Sequence, residues 1–242
     1  MNGGFQIKGK YLDLLAYFGI GGAHPGGMEL SKSVLDSENI LSSNYVLDLG
    51  CGTGQTSAYL ARQYKCHVTA IDNHPIMLEK ANRRFQLEQL AVTVVNGNAE
   101  KLDLQDDSFD YVFSESVVIF TDITKTLNEL SRVLKKDGKL ILIEMIAEHA
   151  LTEELNSEVC DMYGIKKILN EEEWKIYLQD AGFSQVEILK QQTNKLIKTE
   201  IQDLNQSKDI RLEFYDLWEQ HHQLMYKYQN LLSYRVFRCF FS

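Results

Sequence analysis

One short run constrains this chain more than any other: Asp48-Leu49-Gly50-Cys51-Gly52-Thr53-Gly54. It closes the apolar run Val46–Leu49 and opens a segment of helical period, so three glycines lie at a strand-to-helix junction. Glycine there allows backbone conformations and close approaches that a Cβ forbids. Such a junction is also where open α/β sheets take ligands, beyond the carboxyl ends of their strands.

The rest of the chain supplies the sheet. Further β-rich runs follow at Val68–Ile71, Val92–Val95, Tyr111–Phe113 and Leu140–Ile143, with helix-period segments between them. Pro75 suits a first helical position after Asn73 and His74, and Met77, Ala81 and Phe85 recur every four residues behind it. Leu127, Leu130 and Leu134 mark one face of another helix, which Gly138 is placed to end. Asn170 with Glu173 reads as a capping box, followed by the stripe Trp174, Tyr177, Leu178 and Ala181. Strand–helix alternation of this kind predicts right-handed crossovers and a doubly wound, mostly parallel α/β sheet. Four parts are expected. Residues 1–44 form a helical cap or lid and 45–190 the ligand-binding core. Residues 191–233 form a helical insertion and 234–242 a last strand.

Charge and cysteine usage narrow the function. With 25 Lys and Arg against 34 Asp and Glu, the net charge is −9, the wrong sign for a phosphate backbone, so nucleic acid is not an expected partner. No apolar run is long enough to span a bilayer, so no membrane is expected either. Asp13 breaks the segment after Lys8 and Lys10 that mimics a signal peptide. Four scattered cysteines, Cys51, Cys66, Cys160 and Cys239, show no metal spacing or disulfide framework. A cytoplasmic protein with no metal is expected; the oligomeric state is not readable.

Two acidic or polar positions turn the glycine loop into a nucleoside site. Asp72 ends the second strand, where a carboxylate can accept both ribose hydroxyls. Asn98-Ala99 follows the third, where an amide and backbone can read an adenine edge. The glycine spacing is not the G-x-G-x-x-G of dinucleotide sites, and no Gly-Lys-Ser/Thr follows, which excludes a P-loop. A nicotinamide reductase is thereby disfavoured. Neither Ser114 nor Cys51 has a partnered base in sequence, so nucleophilic catalysis is not expected.

Together these residues resemble the class I S-adenosylmethionine-dependent methyltransferases. The likeness runs over about residues 45–189 and includes Ser108-Phe109-Asp110 before the fourth strand and Arg132–Lys139 before the fifth. It implies a Rossmann-like seven-stranded sheet, mostly parallel with an antiparallel last strand. That fold ends in a hairpin, so Val186–Leu189 should pair antiparallel with Arg235–Phe240, the last strand buried in the sheet. The helical insertion 191–233 between them should shape the acceptor pocket. The likeness also implies a cofactor held by Asp48, Gly50, Cys51, Gly52, Gly54, Asp72, Asn73, Asn98 and Ala99. Glu115, at the end of the fourth strand, would suit the cationic sulfonium. The expected activity is in-line methyl transfer to a small molecule, which requires alignment and water exclusion. The alternative is a silent binder of the same cofactor that serves regulation or scaffolding.

Outside the core, Gly21-Gly22-Ala23-His24-Pro25-Gly26-Gly27 is expected to close over the cofactor. Some small-molecule methyltransferases have a similar segment. Tyr11, Tyr17 and His24 would line the substrate pocket, and His24 is the candidate general base. The face formed by Phe214, Leu217, Trp218, His221, Met225 and Tyr228 reads as packing, with His221 and His222 structural or solvated.

Overall fold

A computed structural model describes residues 10–192 and 204–242. Lys8 and residues 193–203 of the expected insertion lie outside the described residues. Two helices lead, α1 (Lys10–Phe18) and α2 (Gly27–Leu35). The alternating core then runs β1 (Tyr45–Leu49), α3 (Gln55–Gln63), β2 (His67–Asp72), α4 (Pro75–Leu87), β3 (Val92–Asn96) and β4 (Phe109–Glu115). After a short 3-10 turn at Val118–Phe120 come α5 (Ile123–Val133), β5 (Leu134–Ala147), α6 (Glu153–Tyr163) and α7 (Glu171–Asp180). The chain finishes with β6 (Gln185–Gln192), α8 (Leu212–Lys227) and β7 (Leu232–Phe240).

The seven strands lie in the order β3-β2-β1-β4-β5-β7-β6. β1 pairs in parallel with β2 on one side and β4 on the other. The strand order therefore reverses at β1, and the crevice beyond its carboxyl end is the natural ligand site. β7 runs antiparallel between β5 and β6, with Leu140 opposite Cys239 and Val186 also opposite Cys239. The strand expected to be buried in the sheet is so placed: Val236, Phe237 and Cys239 have no exposed surface.

Local signals account for several boundaries. Pro75 occupies the first turn of α4 behind His74, and Asn170 and Glu173 bond reciprocally as a capping box at α7. Gly138 behaves differently from expectation. α5 ends at Val133, and its last carbonyls receive the backbone N–H groups of Asp107 and Ser108. Leu134 already pairs with Phe109, and the register then jumps to Tyr111 opposite Lys139. Gly138 sits in that bulge, where a Cβ would stand 2.8 Å from Leu134 Cδ1, so close approach rather than helix capping requires the glycine.

Beneath the crevice, Glu144 on β5 is fully buried. Its Oε1 accepts the backbone N–H groups of Val117 (3.2 Å) and Val118 (2.9 Å), while Oε2 has no partner. Burial pushes its carboxyl up to about 8 despite those donors. A folded pKa above the unfolded value of about 4.3 contributes stability at low pH that is lost as pH rises through about 8. The melting temperature should therefore fall between pH 5 and pH 9, and Glu144→Gln should flatten part of that fall in calorimetric scans. An unchanged pH slope in the variant would refute the assignment.

Candidate cofactor and acceptor site

The three glycines after β1 all have left-handed φ, at 68°, 53° and 79°, yet they serve different ends. A Cβ on Gly50 would lie 2.3 Å from Val117, and one on Gly54 would lie 2.6 Å from Phe85. Those two glycines let the loop pack. A Cβ on Gly52 would meet only Met77 Sδ, at 3.9 Å, and otherwise point into open volume. The loop is tied to β2 by Cys51 N–H to Ile71 O (2.8 Å) and Gly52 N–H to Asp72 Oδ2 (2.9 Å). Asp72 Oδ1 accepts from His74 N–H (2.8 Å), and each carboxylate oxygen retains acceptor capacity.

That open volume belongs to a cavity of about 1060 Å³. A pocket for one small ligand commonly takes about 300–1,000 Å³, so this one has room for a nucleoside and a second molecule. The cofactor side is formed by Gly50, Cys51, Gly52, Asp72, Asn73 and the Asn98-Ala99 pair. The other side is aromatic and apolar, from Tyr11 on α1, Phe120, Met145, Tyr163 on α6, and Trp218 and His221 on α8. Two observations fit a polar adenosyl ligand on the first side. The Gly52 cradle is one that a Cβ would fill, and the buried hydroxyl of Thr53 in the wall lacks a hydrogen-bond partner.

The loop joining α1 to α2 lines the same cavity with Ile20, Gly21, Gly22, Ala23, His24 and Pro25. It is pinned at two places. Lys80 Nζ donates to Ala16 O (2.7 Å), Tyr17 O (3.3 Å) and Asn205 O (2.5 Å), joining α4 to the end of α1 and to residues 204–207. At the other end His24 is buried, with Nδ1 3.1 Å from Pro25 O and Nε2 3.0 Å from Glu115 Oε1. Glu115 also accepts from Ser31 Oγ, and from Thr56 Oγ1 at 2.7 Å. Burial opposes charge on both partners. For each, the attraction and hydrogen bond of the other prevail, raising the His24 pKa and lowering that of Glu115. Each group therefore favours the charged form of the other.

Most of the sequence-predicted residues converge on this cavity: Tyr11, His24, Gly50, Cys51, Gly52, Asp72, Asn73, Asn98, Ala99 and Glu115 all line it. Asp48 and Gly54 do not. Asp48 is buried under the loop and accepts from Ser57 Oγ; burial and then Glu115 push its carboxyl to about 7. Gly54 backs onto Phe85. Tyr17 is a correction: its ring packs on Phe214 at 5.2 Å and under the Arg211 guanidinium, not in the pocket. Six residues separate it from Tyr11, about 240° around a helix of 3.6 residues per turn, so the two rings leave α1 on different faces. Both ring nitrogens of His24 are engaged within the protein, Nδ1 by Pro25 O and Nε2 by Glu115 Oε1 and Ser31 Oγ (3.1 Å). Glu115 likewise spends both oxygens on His24, Ser31 and Thr56. The Cys51 thiol is raised by burial and by Asp48 and Asp72, which suits a packed side chain rather than a nucleophile.

Tyr163, Trp218, His221 and Met225 were not legible as cavity residues. They come from α6 and α8, and their helical spacing is that of ordinary packing. The sequence reading brings the 191–233 insertion, with Trp218, His221 and Met225 in it, to the acceptor pocket, but reads these side chains as packing or solvated.

Residues 46–138 match the family described as "Methyltransferase domain". The chain is 37% identical over 228 residues to the uncharacterized methyltransferase YodH of Bacillus subtilis, covering 94% of this chain and 97% of that one. It belongs to the S-adenosylmethionine-dependent methyltransferases. Its fold is also that of Haemonchus contortus phosphoethanolamine N-methyltransferase 2, solved with phosphomonomethylethanolamine and S-adenosylhomocysteine. The TM-score is 0.75 at 24% identity, over 95% of this chain and 57% of that one. A phosphoethanolamine N-methyltransferase of Triticum aestivum is 26% identical over 84% of this chain and 41% of its own length.

Proposed function

We propose that this methyltransferase acts on a small molecule, aligning it in the aromatic side of the cavity for in-line displacement on the methyl group. S-adenosylmethionine supplies that methyl from its sulfonium. The observation that carries the reading is one cavity lined both by the open glycine loop at Gly52 and by a cluster of aromatic rings. On this reading Asp72 holds the ribose, with Asn73 beside it, and Asn98-Ala99 holds the adenine. The backbone of Gly50, Cys51 and Gly52 lies against the methionine part. Asp48 and Gly54 support the loop from below. The His24–Glu115 pair anchors the 19–27 loop over the site and shuts out water, which raises the strength of every polar contact inside. Small-molecule methyltransferases among the relatives support the acceptor class. No helix among the described residues is long and apolar enough to cross a membrane. The four cysteines are free and buried, which supports a reducing, cytoplasmic setting.

Asp72→Ala is the test. Hydrogen bonds involving a charged group contribute about 1.5–3 kcal/mol, so calorimetric titration should show cofactor binding weakened by more than about 1 kcal/mol. No affinity for a phosphorylated nucleotide should be gained. Unchanged affinity in that variant would overturn the ribose assignment.

A further inference from the structure

The aromatic side of the cavity holds a polar pair, buried Tyr163 and half-buried His221, that the methyl-transfer reading leaves unused. Tyr163 OH lies 3.0 Å from His221 Nδ1 and 3.1 Å from Met225 Sδ. A thioether only accepts, and a phenol has one proton. If that proton goes to Met225 Sδ, His221 Nδ1–H donates to the Tyr163 oxygen and both contacts are satisfied. If it goes to Nδ1 instead, Met225 loses its donor, and Nε2–H has no acceptor within hydrogen-bonding distance among the described residues. The first tautomer makes more bonds and leaves a lone pair on Nε2 of a ring that lines the cavity. Tyr11 (5.3 Å, tilted) and Trp218 (5.5 Å, stacked) fix that ring. The titratable groups against it are Tyr11, Tyr163 and His222.

The chamber also has a charge signature. Among the described residues no lysine or arginine lines the cavity, and its two carboxylates, Asp72 and Glu115, are bonded to their own neighbours around the glycine loop. A phosphate or carboxylate acceptor would be desolvated there with no lysine or arginine to pair with it, which is costly. An uncharged ring with one hydroxyl would be matched by the aromatic wall and by a single acceptor atom.

We propose that the acceptor is an uncharged, largely apolar hydroxy compound of phenol type, and that His221 Nε2, oriented by Tyr163, receives its hydroxyl proton. The proposal rests on the methyl-transfer reading above. The acceptor oxygen bonds to the methyl carbon as the methyl–sulfur bond breaks, and that bond's electron pair stays on sulfur. The hydroxyl proton passes to Nε2, and the imidazolium releases it to water once the products leave. Burial, then His222, lowers His221 to about 4, so the ring stays unprotonated through the neutral range. A protonated ether is a far stronger acid than even that imidazolium, so the transfer runs downhill.

The test uses the whole protein and begins with binding. With S-adenosylhomocysteine saturating, a 4-alkylphenol should bind at least about tenfold more tightly than the phosphate monoester of the same ring. Kinetics with S-adenosylmethionine then compare neutral phenols of graded acidity. His221→Gln should lower kcat about a hundredfold with the weakest acid and progressively less with stronger ones, with acceptor KM and cofactor affinity nearly unchanged. Tyr163→Phe should lower kcat by a smaller factor with the same dependence on acidity. The proposal is overturned by equal or tighter binding of the phosphate ester. A kcat loss that ignores acceptor acidity, or no phenol turnover by cofactor-bound wild type, overturns it too. If wild type does not bind S-adenosylmethionine at all, the methyl-transfer reading itself fails, and the titration shows this separately.

Discussion

Gly52→Val should abolish S-adenosylmethionine binding while the chain stays folded. The Cβ position faces open cavity, with only Met77 Sδ within 4 Å. The added methyls would therefore displace ligand rather than protein. Valine at a φ of 53° carries backbone strain of about 1–3 kcal/mol, so a modest fall in melting temperature is expected beside the lost binding. Gly54→Val gives the complementary result. Its Cβ would strike Phe85 at 2.6 Å and Ala81 at 3.1 Å, so the main effect should be a large drop in melting temperature. Calorimetric titration and thermal unfolding of both variants check the pair. Retained affinity in Gly52→Val would remove the cofactor from this cradle.

The second large effect is expected at Glu115→Gln. Removing one charge of a buried ion pair leaves the other uncompensated and costs about 3–5 kcal/mol when the rest cannot relax. Here His24 can lose its proton, so about 3 kcal/mol is expected, concentrated in the 19–27 loop. Amide exchange across that loop should accelerate and cofactor affinity should fall. The pH window follows from the two shifts. Glu115, held below its ordinary value, contributes above about pH 4.3, and this is lost as pH falls through its lowered folded pKa. His24, held above its ordinary value, contributes below about pH 6.5, and this is lost as pH rises through its raised folded pKa. The difference between wild type and variant should peak between about pH 4.3 and 6.5 and shrink well above neutrality. A loop whose exchange ignores both the substitution and pH would end the anchoring role.

What the sequence disclosed was what local chemistry writes into it. Pro75, the Asn170–Glu173 box and the Asp48–Gly54 junction each act within a few residues, and each formed where its pattern placed it. The antiparallel end of the sheet was legible through the family resemblance, whose fold ends in a hairpin, with one β-rich run before the helical stretch and one after it to supply the strands. Gly138 was misread because a glycine after a helix and a glycine in a bulge look alike until the register of β4 and β5 is known. Tyr17 was misplaced because a nearby aromatic says nothing of the face it leaves by. His24 was legible as a loop residue, but not its partner 91 positions along the chain, which ties the loop to the end of β4. His221 stood in a stripe that reads as core, and only the arrival of Tyr163 beside it gives its ring a direction.

The interleaving of β7 between β5 and β6 bears on the order in which the molecule can assemble. Among the described residues β6 pairs with no strand but β7, and α8 lies in the stretch between them. Residues 45–115 bring β1 to β4 together through pairings that span no more than about 65 positions, as Val46 with Tyr111. The wall that carries Trp218 and His221 must wait for pairings such as Leu140 with Cys239, whose long loops close slowly. The glycine-loop half of the crevice can thus form on shorter loops than the half walled by α8, and on the function proposed above, changes in α8 would reach the acceptor side first.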